Sequence, residues 1–197
     1  MNRTRVLLAI VIVAAALGGC ANQKEPATQA VASIAASLEA VREDASKYAS
    51  EQLAQAEASL ASLKASLDKG DYKAVLANAP ALTNQVASLA QTTAATKSEA
   101  EAAAAAATQE WQALSTDVPQ MISAVQSRVD ILSKSKRLPK NLSADAFKSA
   151  QDGLSSMKTS WAEAAAAFSA GNAVDAVNKA RAVKQQGTEV MQALGMG

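Results

Sequence analysis

Forty-nine of the 197 residues are alanine, and among them the larger apolar side chains recur every three or four positions. That pairing, more than any motif, restricts the chain to packed helices. Alanine loses no side-chain entropy in a helix, and residues three and four apart share one helical face. Aromatic residues make up only 3% of the chain, and there are 4 Pro and 8 Gly. The same alanines thin the core, because a buried methyl removes little surface from water. Stability must then come from helix propensity and from long, close helix contacts. The expected fold is all-α: an elongated antiparallel helical bundle built from two helical hairpins with Gly-turns plus a connecting helix.

Read along the chain, the first stripe is Val31, Ile34, Leu38, Val41, Ala45 and Tyr48, a heptad-like series. Its phase slips before Leu53, Ala56, Leu60, Leu63 and Leu67, with Ser50 placed to cap a restarted helix. The segment 29–69 is therefore either one bent helix or two helices broken near 47–50. Gly70-Asp71 is the sharpest punctuation: a left-handed residue after one helix, then an N-cap for the next. A new stripe, Tyr72, Val75, Ala79, Leu82, Val86 and Leu89, contains Pro80 and passes into an alanine-rich stretch ending at Trp111 and Leu114. Thr116-Asp117-Val118-Pro119 has the form of a helix start. Leu138-Pro139 forces an extended exit, Ser143 caps a further helix, and Gly171-Asn172 repeats the glycine turn. This divides the chain into residues 1–19, a tether at 20–28, a long hairpin at 29–116 and a three-helix segment at 117–197 with its own hairpin at 143–195.

The two glycine turns look like copies. Gly70-Asp71, Ala79, Ala81-Leu82 and Gln85 match Gly171-Asn172, Ala180, Ala182-Val183 and Gln186, each pair 101 apart; Leu53, Ala56, Leu60 and Leu67 match Leu154, Met157, Trp161 and Phe168. The run Ala45-Ser46-Lys47-Tyr48-Ala49-Ser50-Glu51-Gln52-Leu53, followed by Ala56, Leu60, Gly70-Asp71-Tyr72 and Ala74, is similar to an uncharacterised alanine-rich helical-hairpin domain of bacterial envelope lipoproteins. That domain commonly has Pro where this chain has Ser50. The resemblance implies a location and a shape but no activity.

The amino-terminal residues point the same way. Arg3 and Arg5 precede an unbroken apolar segment of twelve residues, Val6 to Leu17. A bilayer core needs about 20 such residues, so the segment suits a secretory signal better than a membrane span. Leu17-Gly18-Gly19-Cys20, which contains the only cysteine, resembles the lipobox of bacterial lipoproteins. The resemblance implies removal of residues 1–19 and acylation of Cys20. Ala21 at the second mature position implies sorting to the outer membrane, facing the periplasm. Several acyl chains at ~0.8 kcal/mol per buried CH₂ make a firm anchor.

Composition also sets limits on chemistry. The chain has 19 basic residues, 18 acidic residues and no His. Loss of Arg3 and Arg5 with the signal would leave 17 basic residues, a balance that gives nucleic acid no electrostatic reason to bind. Without His, imidazole acid–base catalysis and a His/Cys metal site are both excluded, so no enzyme activity, cofactor or metal is expected. Glu43/Asp44 and Glu99/Glu101 read as solvated carboxylates.

Lys134, Lys136, Arg137 and Lys140 gather at a helix end and its exit loop. They complement the helix dipole there, or they contact anionic material such as lipid head groups. Trp161 lies in its stripe and reads as core, whereas Trp111 has few bulky neighbours and is open between core and groove. The expected function is a lipid-anchored periplasmic scaffold, spacer or adaptor with an envelope protein as partner. The alternative is a peptide- or protein-binding module resembling helical repeats. Heptad stripes alone leave the oligomeric state undetermined.

Overall fold

A computed structural model describes residues 23–196. Among them are five α-helices and no strand: α1 (Lys24–Tyr48), α2 (Ser50–Asp68), α3 (Tyr72–Lys134), α4 (Ala144–Ser169) and α5 (Ala173–Ala193). The all-α helical bundle expected from the alanine pattern is the fold that forms. The chain divides into two compact units, the first ending at Ala94 and the second beginning at Ala95.

In the first unit, α1, α2 and the opening turns of α3 enclose one core. Val31, Ile34 and Leu38 pack with Leu53, Leu60 and Leu63 and with Val75, Leu82, Val86 and Leu89. The start of α1 differs from expectation. Residues 24–28 fall within the stretch read as tether, yet they form the first turn of the helix and Ala27 is fully buried. Pro26 fits there because its missing N–H belongs to a turn with no intrahelical acceptor. The choice left open over 29–69 resolves as two helices. Ala49, at φ −152° and ψ 43°, separates α1 from α2, and Ser50 supplies no cap. Arg42 and Glu57 pair at 2.7 Å across this break. On a straight helix fifteen residues span roughly 22 Å, beyond the reach of those two side chains, so the chain turns sharply at Ala49.

The second unit is built from the later turns of α3 with α4 and α5. Its core takes Trp111, Leu114, Val118, Val125, Val129 and Leu132 from α3, Leu154 and Met157 from α4, and Val177, Val183 and Val190 from α5. Here a second expectation fails. No helix begins at Thr116-Asp117-Val118-Pro119; α3 runs through it. The buried positions 107, 111, 114, 118, 125 and 132 keep one heptad phase across Pro119, with Val129 beside them, so burial of that stripe outweighs the lost N–H. Pro80 is carried through in the same way by the stripe from Val75 to Leu89. Asp117 caps nothing and instead pairs with Lys184 on α5 at 2.8 Å. Gly153 and Gly187 mark close helix contacts: a Cβ on the first would meet Val190 at 2.8 Å, and one on the second would collide with the thioether of Met121.

The two glycine turns agree bond for bond. Gly70 has φ +77° and Gly171 φ +84°. Gly70 N–H donates to the Leu67 carbonyl and Asp71 N–H to that of Ser66; Gly171 and Asn172 donate to Phe168 and Ala167 in the same way. This is the Schellman arrangement, which satisfies carbonyls a helix end leaves unpaired. Asp71 then accepts from Ala74 N–H, and Asn172 from Asp175 N–H, as N-caps. Burial follows the 101-residue offset too. Leu53, Ala56, Leu63, Val75, Ala79, Leu82, Val86 and Leu89 are buried, and so are Leu154, Met157, Ala164, Ala176, Ala180, Val183, Gly187 and Val190. The correspondence stops at the first helix: the break at Ala49 has no counterpart at Ala150, which lies inside α4. A third Schellman turn, at Gly195, closes α5 through Gly195 to Gln192 and Met196 to Met191.

Candidate functional site

Leu17, Gly18, Gly19 and Cys20 lie outside the described residues. Among the described residues there is no group of three or more His, Cys, Asp or Glu that could hold a metal ion. No helix there is long and apolar enough to cross a membrane. Glu43 forms an exposed pair with Lys47 at 3.1 Å, and Glu99 and Glu101 are exposed.

The basic residues form a defined surface. Residues 131–142 read Ile-Leu-Ser-Lys-Ser-Lys-Arg-Leu-Pro-Lys-Asn-Leu, with four cations and no acid. The helix α3 stops at Lys134, and Ser135 N–H donates to the Leu132 carbonyl at 3.1 Å. Leu132 and Leu142 are both buried in the core of the second unit, and Leu138 packs against it. Leu142 N–H donates to the Pro139 carbonyl at 3.0 Å, and Ser143 accepts from Ala146 N–H to start α4. Three leucines thus pin the loop from beneath, while Lys134, Lys136, Arg137 and Lys140 are all exposed.

Among the described residues these four cations have no hydrogen-bonding or ionic partner, which sets them apart within their unit. Lys148 pairs with Asp152, Lys179 with Glu163, Arg181 with Glu110 and Lys184 with Asp117. Lys158 donates to Gln126, Arg128 to the Leu194 carbonyl, and Lys97 is also engaged. The Arg181–Glu110 pair is bidentate; the guanidinium's hydrogen bond is the chief cause holding the Glu110 carboxyl below its ordinary value. One turn before Lys134 stands Ile131, 60% exposed, one of two large apolar side chains on the surface of the described residues; Val174 is the other. Residues three apart on a helix share a face, so Ile131 and Lys134 are neighbours.

The aromatic residues meet in the second core, where Trp161 packs against it as read and the open position of Trp111 is settled as buried. Trp111, left open between core and groove, is buried at 8% exposure, and Trp161, read as core, is only partly buried. Trp111 stacks on Trp161 with centroids 5.2 Å apart at 7°, and on Phe168 at 4.7 Å and 9°. Seven residues along α4 span roughly 10.5 Å, so Trp111 fills the space between the two rings. Sequence periodicity missed this because the partners come from another helix. A shallow groove of ≈ 330 Å³ between α2 and α3 is lined by Ser59, Ser62, Ser66, Asn78 and Gln85 among others. Its three serine hydroxyls donate to carbonyls of their own helix. No family model, curated protein or solved structure matches the chain.

Proposed function

We propose that the chain is a lipid-anchored helical protein of the cell envelope, held at the outer membrane through Cys20 and facing the periplasm. It acts without catalysis, as a scaffold, spacer or adaptor for an envelope protein partner. The observation that carries this reading is Leu17-Gly18-Gly19-Cys20 at the end of an apolar run preceded by Arg3 and Arg5. The resemblance of residues 45–74 to an alanine-rich hairpin domain of envelope lipoproteins supports the location. A scaffold role is also supported by the absence of His from the chain and by apolar stripes spent on the two cores rather than on a ligand cavity.

The test is metabolic labelling with radioactive palmitate in a bacterium that processes lipoproteins, followed by fractionation. The wild type should take up label, shorten by nineteen residues and sediment with outer membrane; Cys20→Ser should do none of these. Unlabelled protein in the cytosol with its leader intact would end the proposal.

A further inference from the structure

We infer that the end of the second unit formed by Ile131 and the loop 134–140 is a docking surface for an anionic phospholipid bilayer. Lys134, Lys136, Arg137 and Lys140 face solvent within seven residues, none with a partner among the described residues, while each other cation of that unit is engaged. The α3 C-terminus accounts for one favourable cation in its last turn, Lys134. Lys136, Arg137 and Lys140 lie beyond it, in a stretch that contains no acid to neutralise them. Repulsion among four neighbouring cations is relieved by phosphate groups at the surface of an anionic leaflet.

Charge alone would suit any polyanion, and Ile131 decides between them. It exposes 60% of its surface on the turn that carries Lys134. A soluble polyanion offers phosphate but no apolar phase. A bilayer offers both, the phosphates to the cations and the acyl boundary to the isoleucine. The buried Leu132 and Leu142 hold the loop in place, so little order has to be gained on docking. This contact goes beyond the Cys20 anchor and does not require it.

The experiment places an environment-sensitive fluorophore on Ser135→Cys in the full chain carrying Cys20→Ser, so that the label reports only on the loop. Vesicles of phosphatidylglycerol mixed with phosphatidylethanolamine should shift the emission to the blue; pure phosphatidylcholine vesicles should not. The shift should disappear at 0.5 M salt. It should require roughly a thousandfold more lipid when all four cations are changed to glutamine. Ile131→Ser should raise the lipid requirement about tenfold. Sedimentation with phosphatidylcholine vesicles separately reports any binding by the amino-terminal segment, and palmitate labelling reports the anchor, so failure of either reading is visible alone. The inference is overturned by a silent label on anionic vesicles, or by an undiminished shift in the fourfold variant or at high salt. An equal shift with inorganic polyphosphate would also overturn it, since the surface would then be a polyanion site indifferent to lipid.

Discussion

Thr93 is the one buried polar residue among the described ones, and its hydroxyl has no hydrogen-bonding partner. At the 101-residue offset the second unit has Leu194, also buried. An unmet buried hydroxyl costs about 1–3 kcal/mol, and valine has the same shape and branching. Thr93→Val should therefore stabilise the protein by about 1 kcal/mol, seen as a higher urea midpoint with unchanged slope; a lower midpoint would mean that the hydroxyl has a partner in solution. Trp111 teaches a related lesson. Its own stripe supplies few bulky neighbours, so the sequence leaves its burial open, and the closure comes from Trp161 and Phe168 on α4. The glycine turns were legible because a left-handed residue followed by Asp or Asn is a local device, settled by the steric freedom of Gly70 and Gly171 themselves.

Between elements, local signals and burial compete, and α3 shows which wins. Pro119 cannot donate to the Ser115 carbonyl, yet the helix continues because Leu114, Val118 and Val125 stay buried in phase. The backbone around Pro119 is therefore helical at a cost, and Pro119→Ala should recover about 1–3 kcal/mol in thermal or denaturant unfolding. Loss of stability would show that the ring itself is needed in packing. A different balance holds in the same helix from Ser98 to Ala106, where every residue is exposed. No side chain of that stretch is buried among the described residues, so its amides should exchange with solvent faster than those from Trp111 to Leu132. Equal protection in the two stretches would refute this. The break at Ala49 is the converse case: no Pro or Gly announces it, and its traces in the sequence are the phase slip between the stripes of α1 and α2 and the placing of Ser50.

For the whole molecule, the charge pattern shows which cations are spent on holding helices together. In the second unit α5 is tied to its neighbours by Lys179–Glu163, Arg181–Glu110 and Lys184–Asp117. The folded-state pKa of Glu110 lies below its ordinary 4.5, chiefly through the Arg181 hydrogen bond. Its contribution is thus present above pH 4.5 and lost as pH falls through the lowered value. Glu110→Gln should lower the melting temperature slightly at pH 7, and the difference should vanish at pH 2; a difference persisting there would assign the effect to packing. The sequence by itself determined the helical class, the glycine turns, the Ser143 cap and the duplicated register, because each depends on neighbours within a few residues or on a single helical face. Only the tertiary structure decided that Pro119 lies mid-helix, that Asp117 serves Lys184 rather than a helix start, that Trp111 is enclosed, and that four cations at the end of α3 and in its exit loop have no partner among the described residues. Those outcomes depend on which faces meet and which charges come within reach, and a linear pattern carries neither distance.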